Sequence, residues 1–119
     1  MNSYKAKLIK DVLELSFGYD IDAIWYNLDA KSIDYSYREK IDIFCETLET
    51  AMAKGDLKIA SEGVFLKGTP RQISDQFKRA FPKDENDISD IMFCLDSDNN
   101  FWTPGGGVWI RKDGTEIWT

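Results

Sequence analysis

The sequence predicts an α+β fold in which N-terminal helices pack on a small C-terminal antiparallel sheet. Apolar residues recur at helical spacing through the first half, Gly55 closes that pattern, and the last third alternates short apolar runs with turn residues. A chain of 119 residues fits one domain, 1–119, large enough to bury a core without a metal or disulfide. With 43% hydrophobic and 13% aromatic residues, its composition is that of a folding chain.

The first helix is expected over 6–17, where Leu8, Ile9, Val12, Leu13 and Leu15 gather mostly on one face. Gly18 then ends it in a left-handed conformation. Asp20 is the expected cap of a short second helix with Ile21, Ile24, Trp25 and Leu28 as its stripe. Asp34 opens the longest helix, which runs to about Lys54 with Ile41, Phe44, Cys45, Leu48 and Met52 facing the core. Segments 57–60 and 64–67 flank Ser61-Glu62-Gly63 as a small hairpin. Next, Thr69 is an N-cap, Pro70 suits the first helical position and Gln72 completes a capping box. Ile73, Phe77 and Ala80 or Phe81 face inward, and Pro82 stops that helix.

A helical turn is expected over 84–90, then strands over 91–95, 101–103, 108–111 and 116–118. Asp113-Gly114 reads as a two-residue hairpin turn, and Pro104-Gly105-Gly106-Gly107 as a mobile connection.

Charge is unevenly distributed. The chain has 21 acids and 15 bases, for a net charge of −6. Asp84, Glu85, Asp87, Asp90, Asp96 and Asp98 lie together with no Lys or Arg among them, and without them acids and bases are equal in number. Such a field attracts cationic partners and repels nucleic acid; the plainer reading is a solvated acidic loop. A second row, Glu39, Asp42, Glu46 and Glu49, follows one face of the long helix. Like charges at that spacing cost about 0.2–0.5 kcal/mol per pair, unless Lys31, Lys40 or a partner compensates.

Several classes fall away. With no histidine there is no Ser-His-Asp or Cys-His site and no imidazole-ligated zinc. Cys45 and Cys94 sit among apolar neighbours, as buried free thiols do, and a disulfide between them is the minor alternative. Catalysis by paired carboxylates is formally open, but no acid is expected to stand alone in an apolar run where its pKa would be raised, so no catalytic carboxylate, enzyme activity or cofactor is expected. Nucleic-acid binding fails on a pI near 4.6 and the lack of a basic stripe. No apolar run approaches the ~18 residues of a membrane span. Residues 1–10 lack a signal peptide's continuous apolar core, so a cytoplasmic protein is expected.

Asp96-Ser97-Asp98-Asn99-Asn100 imitates a calcium loop, but Phe101 holds its glycine position and Gly107 its glutamate position; a polar turn is the better reading. Gly105-Gly106-Gly107 lacks the Lys-Ser/Thr ending of a phosphate loop and precedes a strand. Tryptophans stand at 25, 102, 109 and 118. In a strand, Trp109 opposes Val108 and Ile110, so one aromatic set packs on the helices and the other is either core or an exposed hot spot.

The stretch Ala80-Phe81-Pro82-Lys83-Asp84-Glu85 resembles a family of small bacterial proteins of unknown function, as does the ending Gly106-Gly107-Val108-Trp109-Ile110, Asp113-Gly114 and Trp118-Thr119. Such proteins are associated with immunity genes beside contact-dependent growth inhibition toxins and related polymorphic toxins. The shared residues are mainly turn formers and tryptophans; they speak to fold and mark no functional site. The resemblance implies an immunity protein whose partner is a cognate toxin domain. Such domains are often nucleases with basic clefts, which an acidic protein can occupy with fast, steered association. Asp84, Glu85, Asp87 and Asp90, then Asp96 and Asp98, are the best-placed contacts, with Trp102 or Trp109 as aromatic anchor. Asp42, Glu46 and Glu49 form the competing surface. The alternative is an adaptor or subunit that joins an assembly through its aromatic C-terminal sheet; a third reading, an acid-base enzyme, would require a concave pocket with convergent perturbed carboxylates.

Overall fold

The computed structural model describes residues 3–31 and 34–119, so the first two residues of the N-terminal segment read above lie outside it. Three helices come first: α1 (Ser3–Ser16), α2 (Asp22–Lys31) and α3 (Tyr37–Ala53). A hairpin, β1 (Leu57–Ser61) and β2 (Val64–Phe65), leads to α4 (Pro70–Ala80). After a long irregular segment, β3 (Gly106–Ile110) and β4 (Glu116–Trp118) complete the sheet, ordered β2-β1-β3-β4 and antiparallel throughout. The α+β architecture is as the sequence predicts.

Helix ends follow local chemistry. Gly18, at φ +88°, ends α1. Four residues on from Val12, the buried row continues through Ser16 and not Leu15, which is exposed. The Ser16 hydroxyl donates to Val12 O at 2.7 Å and accepts from Asn27 Nδ2 at 3.0 Å, which makes its burial tolerable. Ile21, Ile24, Trp25 and Leu28 are buried as expected. The helix they define starts at Asp22, and Asp20 meets it through its carbonyl, which accepts from the Ala23 amide.

The start of α3 is set by Ser36 and not Asp34: Ser36 and Glu39 form a reciprocal capping box. Because α3 touches α1, α2, α4 and β1, its buried surface is wider than one stripe and takes in Ile43, Thr47 and Ala51, while Ile41 and Met52 are half-buried. The Thr69–Gln72 capping box and Pro70 open α4 as predicted.

The C-terminal third departs most from expectation. Segments 91–95 and 101–103 are not strands; they meet the ladder pattern only at the isolated bridge Leu95↔Phe101, and a second isolated bridge, Ile88↔Asp96, lies just outside them. Their polar backbone is satisfied by turns instead, with the Leu95 amide donating to Met92 O and the Trp102 amide to Cys94 O. The sheet is completed by the 57–65 hairpin, whose turn holds Glu62 at φ 52° and Gly63 at φ 80°.

The glycine run is structural and not a loose connection. Gly106 and Gly107 pair with Ala60 and Ile59, and a Cβ on Gly105 would lie 2.5 Å from Ala60 O. The β3–β4 loop is five residues, 111–115, and not a two-residue turn: the Gly114 amide donates to Arg111 O and the Arg111 amide to Thr115 O. Gly114 alone carries positive φ there, +88°.

The inner sheet face, Leu57, Ile59 and Trp109, packs on the helices beside a ring cluster of Trp25, Phe44, Phe77, Phe81 and Phe93. On the outer face Phe65 stacks on Trp118 at 5.2 Å. Cys45 and Cys94 are buried free thiols. Among the described residues, no helix is long and apolar enough to cross a membrane.

Candidate functional site

The acidic row on α3 is neutralised from within. Glu39 caps its own helix, Asp42 pairs with Lys78 at 2.9 Å, Glu46 with Lys5 and Glu49 with Arg71, the last two at 2.5 Å. These cations come from α1 and α4, not from Lys31 or Lys40. Half-exposed pairs of this kind add little stability, but they cancel the local charge. Asp42, Glu46 and Glu49 therefore present no unpaired anionic face.

The 84–98 segment is built differently. Asp84 caps a short 3₁₀ turn, Glu85–Asp87, by accepting from the Asn86 amide at 2.9 Å. Glu85 is tied to Lys40 of α3, which also binds Asp29 of α2. Burial pulls the Lys40 ammonium down, but hydrogen bonds and charge from Asp29 and Glu85 outweigh it and leave its pKa raised. The segment is anchored further by Tyr37, whose hydroxyl donates to Pro82 O at 2.7 Å. Tyr37 is shifted upward, first by burial and then by the charges of Glu85, Asp84 and Asp87.

Beyond this anchor, Asp96 folds its carboxylate back to accept from the Asp98 and Asn100 amides at 2.9 and 3.0 Å, closing a polar turn with Asn99 at φ 64°. Asp87, Asp90 and Asp98 are exposed and have no ion-pair partner among the described residues.

Neither proposed aromatic anchor is free to serve as one. Trp109 is 1% exposed, packed against Phe17, with its Nε1–H donating to Tyr19 O at 2.7 Å. Its strand position faces it inward, so it is core. Trp102 is half-buried against Phe81 and Phe93 and spends its Nε1–H on Phe93 O at 2.6 Å. Exposed apolar surface near the acids comes instead from Ile91 (82%), Met92 and Phe101 (75%). For Phe101 the sequence signal was its place directly after Asp98-Asn99-Asn100; Ile91 and Met92 open the apolar run 91–95, where nothing in the sequence marks them as exposed.

Met92 and Phe101 also line a cleft of about 540 Å³ between the start of α2, the β1–β2 turn and the start of β3. Asp22 stands in its wall, 6% exposed. Burial, followed by repulsion from Asp20, raises the Asp22 carboxyl to about 6, against lowering by the thiol and amide of Cys94. The expectation that no carboxylate is so perturbed is thus corrected. The signal was present in Ile21-Asp22-Ala23-Ile24-Trp25, an acid in an apolar run. The Cys94 thiol is itself raised, by burial first and then by Asp22, and holds its proton.

A family model described as "Protein of unknown function, DUF596" matches residues 52–119. No curated protein matches the chain. A solved structure described as an uncharacterized protein conserved in bacteria, from Neisseria meningitidis, is similar to it with a TM-score of 0.74 at 19% identity, over 97% of this chain and 89% of that one. At that identity the likeness is one of fold.

Proposed function

Since the chain belongs to the DUF596 family, which carries no assigned function, we propose from its own surfaces that it is a non-catalytic immunity protein. It binds a cognate, nuclease-type toxin domain in the cytoplasm, its acidic surface covering the toxin's basic active-site cleft. One contrast carries this reading. The acids of α3 are matched by cations of the same chain, whereas Asp87, Asp90 and Asp98 have no ion-pair partner among the described residues and stand beside exposed Ile91, Met92 and Phe101. Unmatched charge around apolar side chains is the arrangement that steers and then holds a basic partner. The resemblance noted in the sequence favours a toxin as that partner.

The test is co-expression with a toxin domain encoded beside the gene. Growth should be rescued, and purified protein should inhibit the toxin at near-stoichiometric ratio. A toxin that stays active and unbound at excess protein would overturn the proposal.

A second reading, an adaptor, is favoured by one observation: Trp118, 49% exposed, stacks on Phe65 on the outer sheet face. A partner captured through Trp118, with no effect of the acids, would select it.

A further inference from the structure

The cleft beside Asp22 is lined by three carboxylates from two places: Asp20 and Asp22 at the start of α2, and Glu62 in the β1–β2 turn. Among the described residues, no Lys or Arg lines it. By contrast, the cleft between α3 and α4 sets Arg38, Lys78 and Lys83 against Asp42. Phe101 and Met92 form an apolar flank at the Asp22 cleft, and both are solvent-exposed.

Asp22 is the informative member. It is more than nine-tenths buried, it meets the weakly polar thiol and the amide of Cys94, and no cation among the described residues pairs with it. A buried carboxylate without a counter-charge is costly to keep ionised. A cation entering the cleft removes that cost and meets an aromatic face on the way in.

We infer that this cleft takes a basic side chain of the partner protein, a guanidinium or ammonium on an apolar stem, with Asp22 as its counter-charge and Phe101 and Met92 packing the stem. This deepens the proposed function and rests on it for the source of the side chain. The cleft adjoins the unmatched acids through Met92, Cys94 and Phe101, which belong to the same chain segment, so one partner can engage both.

The raised Asp22 carboxyl gives the interaction a pH dependence. Asp20, Glu62, Tyr26 and the Cys94 thiol are the titratable groups that face it or share the cleft. Tyr26 and Cys94 keep their protons through neutral pH, since both are shifted upward. Binding is therefore strongest above pH 7 and weakens as pH falls through about 6.

The experiment uses the full chain and Nα-acetyl-arginine methylamide, with the citrulline analogue as its neutral isostere. Amide resonances of Cys94, Phe101 and Gly106 should shift saturably with the arginine probe and much less with citrulline. Asp22→Asn should weaken the arginine probe about tenfold or more. Phe101→Ala, at an exposed site that leaves the core intact, should weaken it severalfold.

Equal responses to the two probes, or arginine shifts that ignore both substitutions, would overturn the inference. The toxin domain separates this inference from the reading beneath it. If both variants capture the toxin as the parent chain does, the cleft is excluded while the acidic surface stands. If the arginine probe binds the cleft but no neighbouring toxin is captured, the basic-group site stands and its assignment to a toxin falls.

Discussion

Asp22 holds its charge at a cost to the fold. A carboxyl raised from 3.8 to about 6 binds its proton more tightly in the native than in the unfolded chain. Between those values the native state carries more protons, so stability falls as pH rises through the window. The loss is complete above pH 6, on the order of 2–3 kcal/mol at 1.36 kcal/mol per unit. Asp22→Asn should therefore stabilise the protein at pH 7.5 by an amount of that order, and change it little near pH 4. Urea unfolding at the two pH values measures this; a destabilised variant at pH 7.5 would mean the Cys94 contacts outweigh burial. The thiols make a second case. Burial pushes Cys45 up to about 12 and raises Cys94, so neither supplies thiolate at neutral pH. Native protein should resist iodoacetamide, and denaturant should expose both. Burial of each thiol was legible from its apolar neighbours. The meeting of Cys94 with Asp22, 72 positions apart, was not, because it depends on where a turn with no strand period is laid against α2.

At the scale of elements, what was legible was whatever local chemistry alone decides. The Thr69–Gln72 capping box, the Gly18 stop and the stripe of α2 all stand as read. Ser36-x-x-Glu39 was equally local but lay behind Asp34, a weaker signal. What was not legible was the company an element keeps. Apolar residues over 91–95 looked like a strand because they are apolar, yet Phe93 and Trp102 are drawn to the ring cluster around Trp25 and the backbone turns to put them there. The glycine run was misread for the same reason: Gly105 is required by the approach of Ala60, which no sequence pattern displays. Two substitutions test this. Gly105→Ala places a Cβ against a backbone carbonyl and should cost on the order of 1–3 kcal/mol, the range for overpacking. Gly106→Ala meets nothing closer than Thr119 O at 3.7 Å and should cost much less. Denaturant midpoints order the two; equal costs would contradict the close-packed start of β3. Gly114→Val, at positive φ, should cost about 1 kcal/mol or more.

Across the whole molecule, net charge and unmatched charge are different quantities. The sequence shows both acidic rows and the excess of six acids. It does not show that Lys5, Arg71 and Lys78 close over the α3 row, since those cations reach it from helices remote in sequence. Among the described residues, Asp87, Asp90 and Asp98 stay unpaired on the 84–98 face, which is anchored by Lys40 and Tyr37 and flanked by exposed apolar side chains. If that face captures a basic toxin domain, location should matter more than total charge. The most direct measurement is the association rate with the toxin against salt concentration, for the parent chain and two double variants. Asp87→Lys/Asp90→Lys and Asp42→Lys/Glu49→Lys change net charge equally. The first should slow association at low salt about tenfold or more and flatten its salt dependence, and the second should have a much smaller effect. Equal slowing by both, or a larger effect from the α3 variant, would contradict the account.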